Sequence, residues 1–152
     1  MKKYLENLLK AATVWSVCFL TATVLLQIFA RFFLAQAPAW TEEVSRLFFI
    51  FSIAFAAPLA LKSNYYVQLD VFFNMLKPKW QKRVAIFSFL MVILLFAIFS
   101  MGALKFVAMG FTENSPSMGI KMGIVFLSMF ILGITMCYFL TLKLIKALKH
   151  LR

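Results

Sequence analysis

The run "VAIFSFLMVILLFAIFSMGALKF", from Val84 to Phe106, decides the fold class of this chain. It carries no charge before Lys105 and is long enough to cross a hydrocarbon core, which takes about 20 helical residues. Lipid offers no hydrogen-bond partners, so a continuous apolar run must satisfy its backbone internally as a helix. The run also lacks the period-two alternation of a membrane β-strand. It therefore predicts a transmembrane helix.

Three further runs have the same character, at about residues 11–33, 44–61 and 122–142. The whole chain is 64% hydrophobic and only 14% charged, which is far more apolar than a soluble domain of this length. The first run exceeds the apolar core of a signal peptide, which is typically about 7–15 residues, so we expect it to be retained. We predict an all-α integral membrane protein with four transmembrane helices in a single domain over residues 1–152.

The formal net charge of +11 is distributed unevenly, and its distribution predicts the orientation of the chain. Twelve of the 16 basic residues lie before the first span, between the second and third, or after the fourth: Lys2, Lys3, Lys10, Lys62, Lys77, Lys79, Lys82, Arg83, Lys143, Lys146, Lys149 and Arg152. The positive-inside rule then places both termini and the central segment in the cytoplasm. We expect these charges to meet anionic lipid rather than nucleic acid.

A search for catalytic chemistry is negative. His150 is the only histidine, and Cys18 and Cys137 lack the spacing of a metal or redox motif. No glycine-rich phosphate loop or nucleophile elbow is present, and we expect no catalytic, cofactor or metal site. None of the five acidic residues falls in the middle third of a span, where ion-coupled carriers usually keep one. We therefore expect neither an enzyme nor a carrier that works alone.

The start of the second span, "APAWTEEVSRLFF", places Glu42, Glu43 and Arg46 next to the hydrocarbon, where a charge is energetically unfavourable. Thr41 is predicted to cap the helix, and Glu42 and Glu43 then occupy its first turn, next to the positive end of the helix dipole. Trp40 is predicted to anchor the interface. Arg46 follows the two glutamates by four and by three residues, so either pairing fits a helix.

Two interpretations of this cluster are open. The glutamates and Arg46 can form ordinary solvated pairs, each contributing a few tenths of a kcal/mol. Alternatively Arg31, at the end of the first span, can join Glu43 and Arg46 in a network that holds the first hairpin closed. The second interpretation is attractive because an arginine inside the membrane needs an acidic partner.

The segment between the second and third spans is too apolar for an ordinary linker. Read as a helix over residues 64–77, it places apolar side chains on one side and Asp70 on the other. This pattern predicts an amphipathic helix in the cytoplasmic interface that stops near Pro78. Asp70 can pair with a nearby lysine or tie the chain to another subunit.

The loop before the fourth span reads "SPSMGIKMGIVF". Gly119 and Gly123, at the start of the fourth span, have G-x-x-x-G spacing, which fits either a helix dimer face or a flexible start of the fourth helix.

Several motifs in order resemble one family. They are an Arg-aromatic pair at the end of the first span, Trp-x-Glu-Glu followed by arginine, a stretch ending in aspartate, and the Ser-Pro loop before the fourth span. They fall on Arg31, Phe32, Trp40, Glu42, Glu43, Arg46, Asp70, Ser115, Pro116 and Gly119. The pattern resembles the small membrane subunit of tripartite ATP-independent periplasmic (TRAP) transporters, the DctQ-like family.

The resemblance implies a sodium-coupled uptake system of the bacterial inner membrane. In such a system a periplasmic binding protein delivers an organic acid, such as a C4-dicarboxylate or a sialic acid, to a large membrane subunit. The small subunit is then a scaffold, with the motif residues as structural or interface positions. Lys121 stands where the family often has proline, and the substrate stays unassigned. A regulatory or assembly protein and a self-sufficient small carrier are the alternatives.

Overall fold

The structure is a computed structural model that describes residues 2–33, 38–62 and 78–149. It contains four long helices: α1 (Lys2–Phe33), α2 (Ala39–Lys62), α3 (Pro78–Gly110) and α4 (Met122–Lys149). Each of the four is long and apolar enough to cross a membrane, and the described residues contain no strand beyond one isolated bridge. The predicted all-α membrane fold is confirmed. The predicted interfacial helix over 64–77, including Asp70, lies outside the described residues.

The helices extend beyond the predicted spans. α1 begins nine residues before its apolar run, and α4 continues to Lys149. Both extensions combine lysines with apolar residues, a composition that suits a helix at the membrane boundary. Proline suits the first turn of a helix, which explains why α3 begins at Pro78.

The start of α2 differs from the prediction that Thr41 caps it. The helix begins at Ala39, and Thr41 lies inside its first turn with 1% of its surface exposed. Both the backbone N–H and the hydroxyl of Thr41 donate to the carbonyl of Pro38, at 3.1 and 2.7 Å. The cap prediction is wrong because the Pro38 carbonyl accepts the first helical hydrogen bond.

The helices pack in the spatial order α1, α2, α4, α3. Extensive contacts join α1 to α2, α2 to α4, and α3 to α4. In the most apolar window of each helix, 17% of α2 and 39% of α4 is buried, against 6% of α1 and 0% of α3. The two edge helices each pack against one neighbour and therefore leave the rest of their surface open to lipid or to another protein.

Close backbone approach joins α3 to α4. A Cβ added to Gly110 would lie 2.6 Å from the backbone nitrogen of Gly123, and one added to Gly133 would lie 2.5 Å from the Ser100 hydroxyl. Small residues at a helix interface permit such contact. The contact at Gly110 and Gly123 also brings together the two ends of loop 111–121.

The G-x-x-x-G spacing of Gly119 and Gly123 does not mark one face of a helix. Gly119 lies in the loop, outside α4, with φ at 66°. Gly123 lies in the first turn of α4, where its added Cβ would meet the ring of Phe111 and the carbonyl of Val107. The helix dimer face is therefore the wrong interpretation of this pair.

The two ends of the molecule are distinct, and we name them by the predicted orientation. The inner end holds the start of α1 and the ends of α2 and α4. Five buried apolar residues from these three helices form its core: Leu9, Leu61, Met136, Phe139 and Leu140. The ammonium of Lys62 also donates to the carboxylate of Glu6 there. The outer end, opposite, holds loop 111–121 and the start of α2.

Candidate functional site: a carboxylate clasp at the outer end

Backbone hydrogen bonds fix the conformation of loop 111–121. The N–H of Met122 donates to the carbonyl of Glu113 at 3.0 Å, and the N–H of Ser115 donates to the carbonyl of Ile120 at 2.8 Å. The N–H of Gly119 donates to the carbonyl of Ser115 at 3.1 Å. Gly119 adopts the left-handed conformation that closes this tight turn and that other residues rarely adopt.

The carboxylate of Glu43, on α2, accepts three hydrogen bonds from this turn. The Ser115 hydroxyl donates to Oε2, and so does the N–H of Met118 at 3.1 Å. The N–H of Ser117 donates to Oε1 at 3.1 Å. We call Glu43 and the turn 115–118 the Glu43 clasp. It connects residues more than 70 positions apart in the chain.

The chemistry of the clasp is anion recognition by a turn. A carboxylate has about four lone-pair sites, and charge-assisted hydrogen bonds are roughly twice as strong as neutral ones. Two of the three donors are backbone N–H groups, which have no partner within the turn. Pro116 precedes them and restricts the turn through its fixed φ. The clasp thus fixes the position of the loop relative to α2.

Arg46 pairs with the neighbouring glutamate instead. Its Nη2 lies 3.2 Å from Oε1 of Glu42, one helical turn earlier, and the two side chains are 70% and 64% exposed. Glutamate four residues before a basic residue is the favourable order on a helix. Such an exposed pair contributes about 0.3–0.5 kcal/mol in water.

The predicted network of Arg31, Glu43 and Arg46 is therefore wrong in its partners. Glu43 binds the second hairpin rather than closing the first, and Arg46 binds Glu42. Arg31 lies in the last turn of α1 and is exposed. Trp40, in the first turn of α2, is 44% exposed. Among the predicted positions, the structure brings together Glu43, Ser115 and Pro116, with Gly119 closing the same turn.

Two clefts flank Arg46. One, of about 220 Å³, lies beneath the clasp and is lined by apolar side chains that include Leu47, Met122 and Val125. The other, of about 250 Å³, lies between α1 and α2 and is lined by Leu20, Val24 and Phe49 as well as polar groups. In the part of the chain that the structure describes, no group of three His, Cys, Asp or Glu residues could hold a metal ion.

Comparison with known proteins decides the family. A family model described as "Tripartite ATP-independent periplasmic transporters, DctQ component" matches residues 20–150, which include Glu43 and the whole turn that it binds. The chain belongs to the DctQ family. It is also 24% identical, over 148 residues, to a Haemophilus influenzae protein named, provisionally, a TRAP transporter small permease protein. The alignment covers 97% of this chain and 90% of that protein.

The DctQ chain is thus the small membrane component of a TRAP transporter of the bacterial inner membrane. The family implies two partners, a large membrane subunit and a periplasmic binding protein. The clasp joins two of the motifs that carry the resemblance, namely Trp-x-Glu-Glu at the start of α2 and Ser-Pro before α4.

Proposed function

We propose that this DctQ chain is a static scaffold in a sodium-coupled TRAP importer of organic acids, of the C4-dicarboxylate or sialic acid type. The observation that carries the proposal is the Glu43 clasp, which ties hairpin α1–α2 to hairpin α3–α4 outside the apolar core. A tie between two hairpins opposes their relative movement. In this proposal the transport step, its sodium coupling and its substrate specificity all belong to the large subunit, and this chain has no catalytic role.

The charge distribution along the helices supports a role without ion coupling. Among the helix residues whose side chains the structure describes, the charged ones fall in the first or last third of each helix: from Lys3 to Lys10, at Arg31, from Glu42 to Arg46, at Lys62, at Arg83, at Lys105 and from Lys143 onward. Coupled carriers and proton relays usually place an ionisable group at mid-membrane depth. Sodium coupling in this importer is therefore assigned to the partner.

The proposal also includes an orientation, with both termini in the cytoplasm. The clasp, loop 111–121 and Arg31 then face the periplasm, where the binding protein arrives. Arg83 stacks on the ring of Trp80 at 5.6 Å from its centroid, at the opposite, cytoplasmic end. Cations and tryptophan are both common at the membrane interface.

Reconstitution tests the scaffold role. The large subunit and the binding protein are reconstituted with the wild-type chain, with Glu43→Ala, or with Glu113→Ala as the matched control. We expect Glu43→Ala to lower complex yield and the uptake of all substrates in proportion, with the order of preference among C4-dicarboxylates and sialic acids unchanged. Glu113→Ala should behave as wild type because the Glu113 side chain is exposed and lies outside the clasp.

Two outcomes contradict the proposal. A changed substrate preference in Glu43→Ala at normal complex yield would place this chain in the substrate path. Purification of the chain without any large membrane subunit, from native membranes in several mild detergents, would favour the regulatory or self-sufficient alternatives.

A further inference from the structure

The exposed side chains of α2 form one narrow line. Between Trp40 and Lys62 they are Glu42, Arg46, Phe49 and Ile53, whose spacings of four, three and four residues place them on a single helix face. We call these four residues the α2 stripe. Phe49 is 52% exposed and Ile53 45% exposed, so the stripe continues from the charged pair into an apolar surface.

The length of α2 places Arg46 inside the hydrocarbon core when Lys62 lies at one boundary of that core. At 1.5 Å per residue, Arg46 is about 24 Å along the axis from Lys62. The hydrocarbon core is about 30 Å thick. With Lys62 at one boundary of the core, the backbone of Arg46 therefore lies about 6 Å inside the other boundary.

Lys105 on α3 is a useful comparison for Arg46, because it is an exposed basic residue at the boundary of the core. Lys105 lies about 33 Å along the helix axis from Arg83. With Arg83 at one boundary of the core, Lys105 therefore lies beyond the other. A lysine at that height extends its ammonium into the headgroups at little cost. Lys105 therefore needs no protein partner, whereas Arg46 lies deeper and belongs to an ion pair.

Charged residues within membrane helices almost always face a protein interior or a water-filled cavity. The Glu42–Arg46 pair faces outward from this chain, with 64% and 70% of the side chains exposed. Within the described residues, the only hydrogen bond of the Arg46 guanidinium runs from Nη2 to Glu42. Most of its five donors are left to bind another acceptor. An outward-facing pair at this depth indicates that the α2 stripe becomes interior in a larger assembly.

The surface around the stripe suits a protein helix. The clefts of about 220 and 250 Å³ lie on either side of Arg46, and each can take one or two apolar side chains. The corresponding exposed line on α4 differs, because Ile124, Leu127, Ile134 and Tyr138 carry no charge and suit contact with lipid chains.

We propose that the α2 stripe binds a transmembrane helix of the large membrane subunit, and that Arg46 donates to a carboxylate or a helix-terminal carbonyl of that helix. The inference rests on the proposed function, which supplies the partner. It adds the contact surface on this chain and the chemistry that the partner must present.

Site-specific photocrosslinking in the intact complex, in native membranes, tests the surface. A photoreactive phenylalanine analogue replaces Phe49 on the stripe, or Ile134 on α4, or Ile98 on α3, all three exposed apolar positions. We expect a crosslink to the large subunit from position 49 and none from positions 134 and 98.

The outcomes separate this inference from the proposed function. Crosslinks to the large subunit from position 134 or 98, with none from 49, would overturn the inference and leave the scaffold proposal standing. Crosslinks from position 49 to lipid alone or to a second copy of this chain would also overturn it. If the large subunit neither crosslinks from any position nor co-purifies, the proposed function fails with it.

A pair of charge-removing variants tests Arg46 itself. Truncating one member of a desolvated charge pair is costly, so Arg46→Met should lower the co-purified large subunit about tenfold or more. Lys105→Met removes the same charge from the boundary position and should stay within about twofold of wild type. Arg46→Met at wild-type yield, or equal losses in both variants, would overturn the role of Arg46. The crosslink from position 49 keeps the test valid if Arg46→Met folds poorly.

Discussion

Different interactions hold the helices and loops together at the two ends of this DctQ chain. At the inner end, five apolar side chains from α1, α2 and α4 bury one another, with Lys62 bound to Glu6 beside them. At the outer end, a single carboxylate, Glu43, accepts three hydrogen bonds from a loop. The inner contact is distributed over many atoms, whereas the outer contact depends on one residue.

The difference follows from what each end must hold. Inside the membrane the hydrophobic effect does not drive helices together, so α1, α2 and α4 are held by close van der Waals packing. A loop outside the hydrocarbon has few apolar side chains to pack, and its backbone N–H groups need acceptors. One charged acceptor satisfies three donors there and also sets the position of the loop.

The largest effect is expected from breaking the inner core. Leu140 is 2% exposed, so Leu140→Ala should leave a cavity and lower the free energy of unfolding by about 3 kcal/mol. For a chain of this size that corresponds to about 9 °C in the thermal midpoint, followed by circular dichroism in detergent. Leu127→Ala, at a 39% exposed position of the same helix, is the control. Equal shifts in both variants would show that the cluster is not a core.

A smaller, local effect is expected from breaking the outer clasp. Glu43→Ala should lower the thermal midpoint by about 4 °C, because one carboxylate is lost while the packed core remains. It should also make loop 111–121 susceptible to proteolysis, which Leu140→Ala should not do. Glu43→Gln keeps the acceptor oxygens only in part and should fall between. A Glu42→Ala control that matched Glu43→Ala would contradict the distinction between the two glutamates.

The smallest effect is expected from the inner ion pair. The pair is open to solvent on the Lys62 side, where 46% of the side chain is exposed against 14% for Glu6, and solvated pairs contribute about 0–1 kcal/mol, so Lys62→Ala should shift the midpoint by about 3 °C or less. Salt screens such a pair, so the difference from wild type should shrink at about 1 M ionic strength. A larger shift that salt does not reduce would show that the inner end, like the outer, depends on one polar contact.

The fold was predictable because the bilayer reduces the problem to a few rules. A run such as Val84–Phe106 has one stable form in lipid, whatever its neighbours do. The exact helix ends were harder to predict, as Thr41 shows. Threonine is a common cap, but the decisive group at this helix start is the carbonyl of Pro38.

The residues of the site were predictable from the sequence, but the contact between Glu43 and the turn was not. Glu43, Ser115, Pro116 and Gly119 were all singled out, but helical spacing indicated Arg46 as a partner for either glutamate. Spacing within one helix is visible in a sequence, whereas a contact across more than 70 residues depends on how helices pack. Here the close approach of Gly110 to Gly123 positions the turn, and nothing local to either glycine indicates it.

Amide hydrogen exchange at Ser117 and Met118 tests the clasp most directly. In the wild-type chain in detergent or nanodiscs, Glu43 should protect both amides, and the N–H of Met122, bound to the carbonyl of Glu113, is the internal reference. The account predicts that Glu43→Ala speeds exchange at both amides about tenfold or more, with a much smaller change at Met122. Unchanged exchange at Ser117 and Met118 in that variant would contradict the claim that Glu43 holds the turn.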